Sequence, residues 1–236
     1  MGEYTMPPGE IAFYYGAGEL ERLTKYRRVV LQGDSYDADE LAQLRAAGVH
    51  TLCYLSLTED AGPPAPWQLD ERNPDWGSAF VDVGEPRWVA HVIGQAQDAV
   101  RKGFAGLFLD TLNIELTHPQ LVPHLLALVA SLREETYPAY LLANRGFGLL
   151  PRLGDLVDGV LFESFSARWT PDGGYAPWPP DTLEVHAQYA ERLLQLDVDV
   201  YALDYADSAA LADFARLRAH QFGIPCFVSN RELSLL

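Results

Sequence analysis

Eight short apolar or β-branched runs recur along the chain, and helical patterns lie between most of them. Buried strands that alternate with amphipathic helices are typical of parallel strands joined by right-handed crossovers. We take strand and helix to alternate eight times, which in 236 residues predicts an α/β fold, a single (β/α)8 TIM-type barrel over residues 1–236. An open doubly wound sheet is the alternative. The runs are IAFYY from Ile11, VVLQ from Val29, TLCYLSL from Thr51, GLFLD from Gly106, YLLAN from Tyr140, GVLFE from Gly159, VYALD from Val200 and CFVSN from Cys226.

The segments between the runs predict helices and two long loops. Helices are expected over residues 37–47, 86–102, 119–136, 181–196 and 207–222, from apolar spacings of three and four and from acidic, proline and glycine end signals. The loops follow the third and sixth strands, at residues 58–85 and 164–180, and are rich in tryptophan. Long ordered loops are often functional, and flat aromatic rings suit the apolar faces of sugars. The alternative is that these rings only anchor the loops.

Two of the apolar runs end on a carboxylate after a similar approach from a glycine. GFAGLFLDT (103–111) delivers Asp110 at the end of the fourth strand, and GVLFE (159–163) delivers Glu163 at the end of the sixth. Both residues are therefore expected at the carboxyl face of the barrel, where such folds build their sites. Two carboxylates that face each other across a pocket supply the acid and the nucleophile or base of glycoside hydrolysis.

Most of the other strands also end on a polar residue or on glycine. Strand ends are often polar simply because they are solvated, and this explains some of them. A nearly complete ring of acids, amides and an arginine nevertheless favours a site at this face. In chain order the ends are Gly16, Gln32, Ser56 with Glu59, Asp110, Asn144 with Arg145, Glu163, Asp204, and Ser229 with Asn230.

The charge balance limits the classes of partner. Lys and Arg number 17 against 33 Asp and Glu, a formal charge of −16. Such a field repels phosphates, so nucleic acid and anionic membranes are unfavourable partners, whereas a cationic ligand is attracted. Good solubility alone is the simpler interpretation. No apolar run approaches the length of a membrane helix, so membrane insertion is not expected, and we expect a monomer.

Other kinds of catalytic centre have no support in the sequence. None of the six histidines forms an HExxH or comparable metal-binding arrangement, and no GxSxG, GxGxxG or P-loop occurs. Cys53 and Cys226 lie in apolar runs, where a free buried thiol is the ordinary interpretation. The N-terminus is acidic and contains proline, unlike a signal peptide, so the sequence itself indicates either an internal protein or a removed leader.

An ordered set of motifs extends over nearly the whole chain. The motifs are YYG (14–16), YLSLTE (54–59), GFAGLFLDT, NRGFGLLP (144–151), DGVLFES (158–164), ALDYAD (202–207) and GIPCFVS (223–229). This set resembles glycoside hydrolase family 114, and within it the hydrolase domain of the Pel polysaccharide system. The resemblance implies a (β/α)8 barrel that acts internally on an α-1,4-linked, galactosamine-rich polymer with neither metal nor organic cofactor. It also implies a secreted or periplasmic location.

The resemblance assigns roles residue by residue. Asp110 is similar to the nucleophile of a retaining mechanism and Glu163 to its general acid/base, which requires a raised pKa at Glu163. A departure follows the second strand, where the family often has an acid and this chain has Gln32, with Asp34 two residues later. The expected sugar-binding residues are Tyr15, Asp34, Glu59, Asn144, Arg145, Trp169, Asp204 and Tyr205.

Two other functions are consistent with the same residues. A barrel that only binds a cationic or neutral glycan would need the aromatic loops but not both acids. An inverting glycosidase would use both acids at a wider separation.

Overall fold

A computed structural model describes residues 9–236, and eight parallel strands form its main sheet. Neighbours in the chain are neighbours in the sheet, from the first strand to the last. All eight predicted strands are present. They are β1 (Gly9–Tyr14), β2 (Tyr26–Leu31), β3 (His50–Ser56), β4 (Gly106–Asp110), β5 (Tyr140–Asn144), β6 (Gly159–Glu163), β7 (Asp199–Tyr205) and β8 (Cys226–Ser229).

The sheet curls into a nearly closed barrel, which confirms the predicted fold over the open alternative. Aromatic rings meet inside it, because Phe13 of β1 packs against Phe108 of β4 at 5.5 Å and against Phe227 of β8 at 6.2 Å between ring centroids. At the seam, the Tyr15 backbone N–H donates to the Leu233 carbonyl at 2.8 Å. The interior is thus filled by side chains, as in other barrels of this size.

Helices cover the outside of the barrel at most connections. The five predicted helices are present, Pro86–Lys102 with the predicted ends and the other four with shifted ends. The segment predicted over residues 119–136 begins with a 3-10 turn, Pro119–Leu121. No helix among residues 9–236 is long and apolar enough to cross a membrane. The helices are α1 (Leu20–Leu23), α2 (Ala38–Ala46), α3 (Pro86–Lys102), α4 (Val122–Thr136), α5 (Pro180–Leu193) and α6 (Ala209–Gln221).

The eightfold alternation of strand and helix is incomplete. Between β5 and β6 the described chain holds only a 3-10 turn, Phe147–Leu149, and further turns. The reason lies in the sequence of this connection, RGFGLLPRLGDLVD, where three glycines and Pro151 remove helix-forming residues and a backbone donor. Its backbone therefore turns repeatedly, and no α-helix forms between β5 and β6.

Both predicted long loops are present, and each contains its own strands. The loop 58–85 holds an antiparallel sheet of three short strands, Glu59–Asp60, Gln68–Arg72 and Ala79–Val81. The loop 164–180 holds a hairpin in which Ala167–Trp169 pairs with Tyr175–Pro177. Because β3 and β6 both end at the carboxyl face, the two loops rise on the same side of the barrel.

Candidate active site

Asn144 joins the two acidic residues at the centre of the carboxyl face. Its Nδ2 donates to Asp110 Oδ1 at 2.8 Å and to Glu163 Oε2 at 2.6 Å. The two acceptor oxygens are therefore at most about 5.4 Å apart, the sum of those distances. The three residues end the adjacent strands β4, β5 and β6, so parallel pairing alone brings them together.

The backbone turns in the same unusual way after each of these residues. Thr111, Arg145 and Ser164 have φ angles of 66°, 57° and 55°, in the left-handed region that non-glycine residues rarely occupy. Strained residues of this kind persist only where their surroundings hold them, and they concentrate at functional sites. Thr111 is held by its Oγ1, which accepts from the Leu57 and Thr58 backbone N–H groups at 3.1 and 2.9 Å.

Glu163 is half-buried beside another acid. Burial raises the pKa of Glu163, and the charge of Asp110 raises it further. Hydrogen bonds from Asn144 and Tyr205 and the charge of Arg145 oppose this shift. The Tyr205 hydroxyl donates to Glu163 Oε1 at 2.5 Å, so both carboxyl oxygens of Glu163 have a partner. The two acids thus lie in different surroundings, the arrangement that separates an acid from a nucleophile.

Two tyrosines, Tyr15 and Tyr54, line the same cleft as Asp110. Burial, followed by the charge of Asp110, raises the pKa of both Tyr54 and Tyr15, so both phenols stay neutral. The Tyr54 ring meets that of Tyr15 edge to face at 5.5 Å. Neutral phenols can donate to a carboxylate or to a sugar hydroxyl without adding charge.

A cleft of about 600 Å³ opens above these groups. Glu59 lies on its wall, where its carboxylate accepts from Asn73 Nδ2 at 2.9 Å and from the Ser78 hydroxyl, both in the loop 58–85. The volume falls within the range of small-molecule pockets and exceeds the needs of a single small ion. The cleft brings together seven residues predicted from the sequence, Tyr15, Glu59, Asp110, Asn144, Arg145, Glu163 and Tyr205.

Three predicted binding residues, Asp34, Trp169 and Asp204, lie outside this cleft. Asp34 is exposed on the 3-10 turn Gly33–Ser35 and borders a neighbouring cavity of about 780 Å³, because the chain turns away after Gln32, which itself lines the cleft. Trp169 is half-buried, and the Arg231 guanidinium lies 3.8 Å from its ring centroid. Its ring supports Arg231 instead of lining the cleft.

The prediction that Asp204 binds sugar is wrong, because this residue is fully buried on the outer side of β7. Side chains alternate along a strand, and Tyr205 faces the cleft, so Asp204 faces the helix layer. Its Oδ1 accepts from the Ser166 and Ala167 backbone N–H groups at 2.7 and 2.8 Å. Asp204 therefore holds the start of the loop 164–180 beneath the site.

Replacing Asp204 with alanine is expected to lower the free energy of unfolding by about 2–4 kcal/mol, because two buried N–H donors lose their acceptor. Asparagine keeps Oδ1 and is the matched control. Burial raises the pKa of Asp204 from 3.8 to about 6, so the folded state binds this proton more tightly and loses stability as the pH rises across that range. Urea unfolding at pH 4 and pH 7 measures both effects. Equal stability of the two variants, or an unchanged pH dependence in Asp204→Asn, contradicts the assignment.

The cleft also contains residues that the sequence interpretation did not select. Tyr54 belongs to β3, where alternation from Ser56 would have placed it inward. Trp76 and Arg231 line the cleft from two distant segments, and no local pattern connects them. Among residues 9–236, no group of three His, Cys, Asp or Glu side chains is arranged to hold a metal ion.

Comparisons with known proteins agree with this geometry. The sequence profile of glycoside-hydrolase family GH114 matches residues 4–170. No curated protein sequence matches the chain. Among solved structures, the glycoside hydrolase domain of PelA from Pseudomonas aeruginosa is 29% identical, with a TM-score of 0.88 and 97% of each chain covered.

Two further structures share the fold at lower identity. Ega3 from Aspergillus fumigatus, solved with galactosamine, is 14% identical, with a TM-score of 0.75 and coverage of 98% of this chain and 97% of Ega3. The α-galactosidase TtGalA from Thermus thermophilus is 16% identical, with a TM-score of 0.63 and coverage of 98% and 60%. At these identities the similarity concerns the barrel alone.

Proposed function

The chain belongs to glycoside-hydrolase family GH114, and from this premise we propose that it cleaves α-1,4-linked, galactosamine-rich polysaccharide internally by a retaining mechanism. The chain is a glycoside hydrolase; the polymer and the stereochemistry are our proposal. The observation that carries it is the pair Asp110 and Glu163, held by one Asn144 nitrogen. We further propose a single-domain monomer, since residues of one chain line the whole cleft.

The separation of the two acids supports the retaining mechanism. Retaining glycosidases hold their carboxyl groups about 5–5.5 Å apart, whereas inverting enzymes leave about 6.5–9.5 Å for a water molecule. The upper limit of about 5.4 Å between the bridged oxygens agrees with the shorter range. In the first step, Asp110 attacks the anomeric carbon and forms a glycosyl ester while the C–O bond to the leaving sugar breaks. In the second step, water attacks that carbon and releases Asp110.

The surroundings of Glu163 support its role as the acid/base. Its raised pKa keeps a proton available for the oxygen of the departing sugar. Once Glu163 has given up this proton, Asn144 and Tyr205 donate to its oxygens, and Arg145 favours its negative charge. The same carboxylate then takes a proton from the attacking water. Asp110 remains the nucleophile, and Asn144 Nδ2 donates to its Oδ1.

The choice of substrate rests on family membership and charge. Galactosamine units without an acetyl group carry an ammonium charge, and a protein of net charge −16 concentrates such a polymer. Glu59 adds a carboxylate to the cleft wall beside the acid pair. The galactosamine in the Ega3 structure points to the same sugar for a first test.

Cleavage of the deacetylated polymer is expected to fall several-fold between low and physiological salt, because counterions screen its attraction to the acidic protein. Release of reducing ends from α-1,4-galactosamine polymer, followed across a salt series, measures this. A fully N-acetylated polymer of the same length is the control, since it is uncharged. Equal salt dependence on both polymers contradicts the electrostatic part of the proposal, and absence of cleavage contradicts the substrate.

A further inference from the structure

Arg231 lies between two indole rings that belong to different loops. Its guanidinium carbon is 4.3 Å from the ring centroid of Trp76 and 3.8 Å from that of Trp169. Trp76 comes from the loop 58–85, Trp169 from the loop 164–180, and Arg231 from the segment after β8. The Arg231 backbone N–H also donates to the Tyr175 hydroxyl at 3.1 Å. The stack therefore joins both long loops to the C-terminal segment at the edge of the cleft.

The Trp76 side of this stack is open. Trp76 is 63% exposed, whereas Trp169 is half-buried. Because Arg231 covers one face of the Trp76 ring, exposure of this extent requires the opposite face to be free. Trp76 and Arg231 line the same cleft as Asp110 and Glu163. An uncovered indole face thus borders the space in which the polymer would be cut.

The backbone that carries Trp76 is held in place. Asn73 Oδ1 accepts from the Asp75 N–H at 2.9 Å, and the Asn73 carbonyl accepts from the Gly77 N–H at 2.8 Å, which closes a tight turn around Trp76. Gly77 has a φ angle of 73°, which a side chain would oppose. Asn73 Nδ2 donates in turn to Glu59 at 2.9 Å. The indole is therefore preorganised relative to the cleft, which lowers the entropy lost on binding.

A fixed aromatic face beside a polysaccharide cleft has a chemically defined partner. The C–H face of a pyranose ring is flat and apolar, and it packs on an indole without requiring charge. Arg231 holds the ring through its cation–π contact and leaves the outer face available. We propose that Trp76 binds one sugar unit of the polymer away from the bond that is cut, with Arg231 as its positioning residue. The inference rests on the proposed function and deepens it.

The test compares long and short substrates. For each variant, kcat/KM is measured on the galactosamine polymer and on the shortest oligomer that the wild-type protein cleaves. Trp76→Ala is expected to lower the ratio of the polymer value to the oligomer value roughly tenfold, since only the longer chain reaches the Trp76 ring. Trp76→Phe restores much of the ratio because it keeps a flat ring. Leu217→Ala is the matched control, since Leu217 is 62% exposed on α6 away from the cleft.

A double-mutant comparison tests the part played by Arg231. Arg231→Ala is expected to lower the same ratio, and the Trp76→Ala/Arg231→Ala protein is expected to be no worse than Trp76→Ala alone, because Arg231 acts through that ring. Additive losses contradict this role. A residue with only a structural function would instead lower kcat/KM equally on both substrates.

Two outcomes separate sugar binding by Trp76 from the proposed function. If the wild-type protein cleaves the polymer and Trp76→Ala leaves the ratio unchanged, sugar binding by Trp76 is disproved and the proposed function is retained. If calorimetry detects no binding of galactosamine oligomers by the wild-type protein and no cleavage occurs, both the proposed function and sugar binding by Trp76 are disproved.

Discussion

Replacing Asp110 with asparagine is expected to lower kcat on galactosamine polymer by at least about 10³-fold, because the amide cannot form the glycosyl ester. Asparagine keeps an oxygen for the Asn144 Nδ2 donor, so the cleft is expected to keep its shape. Binding of galactosamine oligomers, measured by calorimetry, is therefore retained within a few-fold. Reducing-end release and calorimetry on the same preparation separate chemistry from recognition.

The control for Asp110→Asn must remove one negative charge elsewhere. Asp213→Asn does so on α6, where the Asp213 side chain is 78% exposed. This variant is expected to cleave at the wild-type rate. Unchanged cleavage by Asp110→Asn contradicts the nucleophile assignment and favours a barrel that only binds glycan. Loss of binding in parallel with cleavage would place Asp110 in recognition instead of chemistry.

Replacing Glu163 with glutamine is expected to lower kcat/KM on the polymer roughly 10²–10⁴-fold, the usual contribution of a general acid. Its carboxyl group must be protonated in the first step, and its pKa is raised by burial and by Asp110. In the wild-type protein, kcat/KM therefore falls as the pH rises through this raised pKa. Glu163→Gln is expected to lose this alkaline decline.

Chemical rescue distinguishes the acid/base from a structural role. A substrate whose leaving group needs no proton restores the first step in Glu163→Gln, and added azide then replaces the activated water and yields a glycosyl azide. Glu191→Gln, an exposed substitution on α5, is the matched control and is expected to behave as wild type. An alkaline decline that persists unchanged in Glu163→Gln, or no rescue with the activated substrate, contradicts the assignment.

The sequence predicted those parts of the fold that local patterns determine. Each barrel strand is a short buried run, and each acid ends such a run, so the barrel, Asp110 and Glu163 follow from spacing and strand order. The family resemblance selected Asn144, whereas its bridge between the acids depends on the lateral pairing of β4, β5 and β6. Eightfold regularity predicts a helix between β5 and β6, but Pro151 and its neighbouring glycines prevent one.

Features that depend on side-chain direction or on distant contacts were harder to predict. Asp204 follows the strand-end pattern, but Tyr205 is the residue that faces the cleft. Asp204 faces outward and accepts hydrogen bonds from the backbone of the loop 164–180. The aromatic loop predicts a sugar contact at Trp169, whereas in the structure the Arg231 guanidinium lies against its ring. The stack of Trp76 on Arg231 unites residues from opposite ends of the chain, and tertiary packing alone brings such residues together.

The most direct test of the account follows the anomeric configuration of the first product by proton NMR. Wild-type protein and α-1,4-galactosamine polymer are mixed, and the new reducing ends are observed before mutarotation. The pair Asp110 and Glu163, with bridged oxygens at most about 5.4 Å apart, predicts that the α anomer appears first and then converts partly to β. Initial appearance of the β anomer would establish inversion and contradict the central claim.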